Sequence, residues 1–331
     1  MQNRLESIIS ASLGRGKIPL EDCIFMLSFP EDSPEAQRII DAASGFALRE
    51  TDGIGRISVQ IGIISGPCHV DCGYCVFRAS SNLMEQYEMS RSELTTYINR
   101  ILADGEVSAV SLMSIADFDF GTFLDRVRLA RSLLPPAVKL FTNTGDLSFA
   151  EAARLKEAGV DGAYHAIRIG EGIVNRIEPM GRFRTQENLK TAEIPLFDGV
   201  EPIGPEHTPK EIAESFYFAL SRGCTACSAS ARVPVPGTPL YDMGSISSRR
   251  LLQIRSALLL SATSYSDSEL GGYGGFYGGF GWAMAEYAGS PKDLNEVSEN
   301  GLGRTVAWAK EQLRAEGFTK LLGSDGKVHD L

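Results

Sequence analysis

The chain has 331 residues, 43% hydrophobic and 22% charged, values of a soluble globular protein with enough length for a large buried core. A formal net charge of -10 argues against a nucleic-acid-binding surface, which is usually basic. No apolar run could span a bilayer, and the start MQNRLESIIS lacks the apolar core of a signal peptide, so a membrane role is not expected and the expected compartment is a reducing cytoplasm.

Residues 1–50 read as helical. PLEDCIFMLSF places Leu20, Cys23, Met26 and Leu27 on one face, and SPEAQRIIDAASGFALRE opens with Ser33 as N-cap and Pro34 in the first turn. An alternation follows. RISVQIGIIS (56–65) is a β-branched run that fits a buried strand, and a helix is expected over 90–104. Strand 107–114 leads to helix 119–133, strand 138–144 to helix 148–158, and strand 162–169 to helix 184–193. Strand 199–204 leads to helix 209–222, and strand 229–235 to helix 247–258. The last strands are sought in LLLSATS (258–264) and after the glycine-rich segment, with a closing helix over 300–316. No linker or charge run breaks the pattern. Alternating buried strands and amphipathic helices imply a parallel sheet. The expected fold is α/β, a (β/α)8 TIM-type barrel, complete or nearly complete. Residues 1–50 form a helical extension, and 51–331 the barrel with a C-terminal cap. A doubly wound open sheet is the alternative, weakened because no G-x-G-x-x-G follows the first strand.

Half of the six cysteines fall in GPCHVDCGYCVFR, at Cys68, Cys72 and Cys75. This loop directly follows the first strand, the end where parallel folds gather their functional loops. In a reducing compartment such a cluster points to metal binding or catalysis rather than disulfides. A structural zinc site needs four ligands, and its second pair would have to come from distant Cys224 and Cys227. A cubane iron–sulfur cluster normally takes four thiolates, so three would leave one iron open to a substrate or cofactor.

The spacing Cys68-x3-Cys72-x2-Cys75, with Tyr74 before the last cysteine, resembles the signature loop of radical S-adenosylmethionine enzymes. The resemblance implies a [4Fe-4S] cluster on these three cysteines and S-adenosylmethionine bound to the open iron. It also implies a 5'-deoxyadenosyl radical that abstracts hydrogen from a substrate. The N-terminal helices, IGPEHT (203–208) and VPVPGTPL (233–240) are similar to the branch that contains biotin synthase, HydE, methylornithine synthase and HmdB. By that likeness Arg168 and Glu171 in YHAIRIGEG contact the methionine carboxylate and amine. Asn143 and Thr144 contact ribose or carboxylate. Tyr74, Ile203 and Val235 lie near adenine.

The departures are equally specific. Biotin synthase carries a second, [2Fe-2S] cluster on barrel cysteines, and VSLMSIAD, KLFTNTG and VEPIG have none, which argues against ordinary biotin synthase activity. The glycine-rich segment that follows strand two in relatives is also missing, leaving Ser114 and Asp117 as the nearest polar candidates. Cys224 and Cys227 could form an auxiliary site or a redox dithiol, or be small buried residues. In GGYGGFYGGFGW (271–282), Tyr273, Phe276, Tyr277, Phe280 and Trp282 could wall a pocket at the barrel mouth. His165 and His207 fall at strand ends, as proton donors or as satisfied barrel histidines.

The sequence therefore reads as a radical S-adenosylmethionine enzyme acting on a small molecule in cofactor or amino-acid biosynthesis. Its reductant would be a protein such as flavodoxin or ferredoxin. The substrate is expected inside the barrel, under 271–282 and the C-terminal segment. The rivals are a non-catalytic iron–sulfur electron carrier, a sulfur-inserting enzyme with an auxiliary site at Cys224 and Cys227, and a zinc-stabilised scaffold.

Overall fold

The computed structural model describes residues 2–103, 105–264, 279–289 and 304–331. Three helices open the chain: α1 (Gln2–Leu13), α2 (Leu20–Leu27) and α3 (Pro34–Glu50). Ser33 caps α3 by accepting the Ala36 N–H, as its sequence implies. The sheet strands are β1 (Ile54–Ser65), β2 (Tyr87–Glu88), β3 (Ala109–Ser114), β4 (Lys139–Asn143), β5 (Gly162–Tyr164), β6 (Leu196–Ile203) and β7 (Ala226–Ala231), then β8 (Trp282–Ala288), β9 (Lys320–Leu322) and β10 (Val328–Asp330). Between them run α4 (Arg91–Leu102), α5 (Phe120–Leu133), α6 (Phe149–Glu157), α7 (Pro179–Thr191), α8 (Pro209–Ser221), α9 (Ser248–Ala262) and α10 (Val306–Ala315). No helix among the described residues is long and apolar enough to cross a membrane.

The parallel ladder runs β8-β1-β3-β4-β5-β6-β7. The register places Ser58, Ala109 and Met284 side by side, and likewise Phe141 with Gly162, and Tyr164 with Phe197. These residues share the concave face. There Phe141 meets Phe197 edge-on at 4.8 Å, and Trp282 at 6.2 Å. Trp282 belongs to the edge strand and Phe141 to the middle of the ladder, so the sheet curls far enough for its concave side to pack on itself. The helices cover the convex face.

Several elements differ from expectation. The segment 258–264 is not a strand, because α9 continues through Ala262. Leu258, Leu259 and Leu260 are buried all round, since α9 lies between β7 and the N-terminal helices. Ser12 Oγ donates to Leu260 O at 2.6 Å, and Gln253 Nε2 to Phe29 O at 2.9 Å. A short apolar run of this kind has no period that separates a core strand from a core helix. Strand 162–169 ends at Tyr164, after which the chain still follows β6 through His165 N to Phe197 O and Ile169 N to Glu201 O. β6 and β7 begin three residues earlier than expected, and α7 begins five residues earlier, at Pro179. The C-terminal hairpin β9–β10 joins Ile54 and Gly55 at the start of β1. The described C-terminal segment therefore closes the base of the sheet, not the mouth as expected.

Candidate functional site

Gly66 turns the chain out of β1 with φ +123°, and a Cβ there would lie 2.6 Å from Gln86 Cα, so only glycine fits. The following loop is held by its own backbone. Cys68 N–H donates to Phe77 O at 2.7 Å, Ala79 N–H to Cys68 O at 3.1 Å, and Cys75 N–H to Cys72 O at 3.2 Å. Asp71 adopts a left-handed φ of +58° and is almost fully buried. Its carboxylate accepts from Ser80 N and Oγ and from Arg78 Nη2, and pairs with Arg176 Nη2 at 3.1 Å. The hydrogen bonds from Ser80 lead in holding this carboxyl down at about 2. Gly73 ties the loop to two others: its N–H donates to Val174 O at 2.8 Å, and its carbonyl accepts from Leu240 N–H at 2.9 Å.

Cys68, Cys72 and Cys75 line one wall of a cavity at the C-terminal ends of the strands, about 990 Å³ with its solvent mouth included. Burial pushes the Cys72 and Cys75 thiols up, and the neighbouring cysteines push the same way. The Arg168 charge opposes this. Such thiols become thiolates only against added positive charge, which iron would provide. Among the described residues no three His, Cys, Asp or Glu side chains are gathered to hold a single metal ion. A cubane cluster does not need that arrangement, because each thiolate binds a different iron.

The opposite walls come from the other strand ends. Asn143 and Thr144 line the cavity at the end of β4, with Met113 and Ser114 at the end of β3 and Ser230 and Ala231 at the end of β7. Gly145 lets the β4 end pass the β3 loop, for a Cβ would stand 2.7 Å from Ala116 O. Arg168 lines the cavity and donates from Nε to Glu201 Oε1 at 3.0 Å. Tyr74 also lines it, and its buried hydroxyl has no hydrogen-bond partner; neither has the Ser114 hydroxyl. Buried orphan polar atoms are costly in a folded protein, so a wall that keeps them is built for something that binds.

Not every expected residue joins the wall. Glu171 spends its carboxylate on its own turn, accepting from Arg168 N at 2.9 Å and from Asn175 Nδ2 at 2.7 Å. Ile203 and Val235 are buried behind the cavity, while their neighbours Glu201, Pro202 and Val233 line it. Asp117 lies on the rim, where it accepts from His69 N at 2.6 Å. His207 accepts the Gly204 N–H through Nδ1 at 2.9 Å and is a turn residue. Phe280 and Trp282 are not at the mouth. Trp282 opens β8 and pairs with Arg56 near the start of β1, with Phe280 in the turn just before it, so they belong to the base; Tyr273, Phe276 and Tyr277 lie outside the described residues. Cys224 and Cys227 are also at the base, both buried, at the start of β7. Cys227 stands opposite Asp198, whose carboxylate accepts from Gln186 on α7, so the pair faces the helices.

Arg182 was not anticipated from the sequence, yet it lines the cavity, is only 6% exposed, and keeps its Nε without a partner. His165 is buried behind it. The only hint in the sequence was a pair of arginines near the start of a helix.

No family model matches the chain. It is 24% identical over 243 residues to a biotin synthase of Saccharopolyspora erythraea, covering 71% of this chain and 67% of that one. Among solved structures it resembles methylornithine synthase, PylB, with a TM-score of 0.74 and 14% identity over 94% of this chain and 96% of the other. It also resembles the [FeFe]-hydrogenase maturase HydG of Carboxydothermus hydrogenoformans, with a TM-score of 0.73 and 15% identity over 96% of this chain and 79% of that one. By sequence kinship and fold together, the chain is similar to the biotin-synthase-like branch of radical S-adenosylmethionine enzymes.

Proposed function

We propose that Cys68, Cys72 and Cys75 hold a [4Fe-4S] cluster in this cavity, and that the enzyme abstracts hydrogen from a small molecule bound beside it. The observation that carries the reading is one cavity that joins three thiols to the buried guanidinium of Arg182, the partly buried Arg168 and partnerless polar groups. Bound there, the cluster would supply the electron that cleaves S-adenosylmethionine and releases the 5'-deoxyadenosyl radical. The residues of the chain bind and orient. Arg182, with its partnerless Nε, receives the carboxylate of the methionyl group, and Arg168 adds a second positive charge. Asn143, Ser114 and the Tyr74 hydroxyl offer hydrogen bonds to the remaining polar atoms. Asp71 fixes the cysteine loop, so little ordering cost remains when iron enters.

The interior positions of β3, β4 and β6 include Ser111, Met113, Phe141, Asn143, Phe197, Gly199 and Glu201, and none of these three strands carries a cysteine. This supports a reaction that does not insert sulfur from a cluster inside the sheet, on a substrate of cofactor or amino-acid biosynthesis. The reductant is a one-electron protein donor such as flavodoxin or ferredoxin. The approach of Gly279 to Ser228, where a Cβ would meet the serine Cβ at 3.6 Å, supports closure of β7 against the β8 segment into a full (β/α)8 barrel.

Anaerobic reconstitution followed by dithionite and S-adenosylmethionine tests the reading. The expected result is about four irons per chain and release of 5'-deoxyadenosine. Cys72→Ala should lose both. Zinc in place of iron, or a Cys72→Ala protein that still cleaves S-adenosylmethionine, would overturn it.

A further inference from the structure

An arginine side chain has many rotamers, and a carboxylate receptor works best when one of them is fixed beforehand. Arg182 has such a fixture behind it. Its Nη1 lies 3.2 Å from His165 Nε2, 3.4 Å from His165 Nδ1 and 3.4 Å from Asp146 Oδ1. His165 Nε2 in turn lies 3.1 Å from Asp146 Oδ1. The imidazole is 2% exposed, and Gln186 Nε2 donates to its backbone carbonyl at 2.9 Å. These contacts engage Nη1 and leave the buried Nε, on a residue that lines the cavity, without a partner. Burial first, and the Arg182 charge second, lower the His165 pKa to about 4, so the ring stays neutral and can pack against a cation.

We infer that His165 and Asp146 act as positioning residues that hold Arg182 in the orientation needed to receive a ligand carboxylate. The inference rests on the reading of Arg182 given above. It assigns work to a histidine that touches neither the cavity nor the cysteines. Asp146 balances the charge: its carboxylate is about half exposed, so it is solvated on one side and anchors the His165–Arg182 edge on the other. The pairing also explains why a buried arginine is tolerated beside Arg168, whose charge lowers the Arg182 pKa after burial has done so.

The test uses the cluster-reconstituted full chain and two probes, S-adenosylmethionine and its decarboxylated analogue. The quantity read is the ratio of their dissociation constants, which isolates the carboxylate contact from the rest of binding. Arg182→Gln should bring the ratio close to one. His165→Phe should reduce it roughly tenfold, with iron content unchanged, because the guanidinium remains but is no longer aimed. His165→Asn, which keeps a short polar side chain, should recover part of the loss. Asp146→Asn, a change at a half-exposed site, supplies the same reading with a smaller drop if His165→Phe does not fold. A ratio lost in Arg182→Gln but kept in both His165→Phe and Asp146→Asn overturns the positioning role alone. A ratio kept in Arg182→Gln overturns the carboxylate reading of Arg182, and the positioning role with it.

Discussion

Arg168 joins the cavity wall to the sheet through Glu201, and the cost of removing it should fall on ligand binding. Arg168→Ala is expected to weaken S-adenosylmethionine binding tenfold or more with iron content unchanged, as titration calorimetry would measure. Asp198 predicts a different effect. Burial pushes its carboxyl up to about 7 from an ordinary 3.8, although Gly199 N–H and Gln186 Nε2 donate to it. The folded protein thus keeps a proton that the unfolded chain releases above about pH 4. This contribution to stability is full below pH 4 and is lost as the pH rises through 7, by at most about 4 kcal/mol. Thermal unfolding between pH 4 and 7 should show that slope, and Asp198→Asn should flatten it whatever its absolute stability. At this scale the cysteines were legible because their spacing is a chemical statement in itself. Arg182 was not. Its helix buries Arg182, Thr185 and Gln186, so its inner face is polar, and a reading based on apolar periodicity passes over it.

The helices that follow strands begin where their caps say they should. Ser90 with Glu93, Ser148 with Glu151, and Thr208 with Glu211 each form a reciprocal capping box. These local signals are why α4, α6 and α8 were placed within about two residues from the sequence. α9 lacks a comparable signal at its end. Its last turn is decided by tertiary packing against α1 and α3, which a linear pattern does not contain. Leu258→Ala, at a fully buried position of that helix, should therefore cost about 2–5 kcal/mol in urea unfolding. A cost near zero would mean that α9 does not pack between the sheet and the N-terminal helices.

Across the whole molecule the two ends of the strands divide the work. The cysteine loop and the polar cavity occupy one end, and Trp282, Cys224, Cys227 and the terminal hairpin the other. Cys224→Ala combined with Cys227→Ala should leave the iron count near four; a fall would place iron at the base as well. The β-α alternation made the parallel order readable, but not the side on which the chain ends, because a terminal hairpin of three-residue strands has too few residues to show a period. One peptide has a consequence for anyone who rebuilds this protein. The Gly73 unit, between the second and third cysteines, is bonded on one side to Val174 and on the other to Leu240. The cysteine loop is therefore not a portable cassette. A graft into another scaffold would have to carry the 174 and 240 loops with it, and insertions in either loop would shift the thiols without touching the motif.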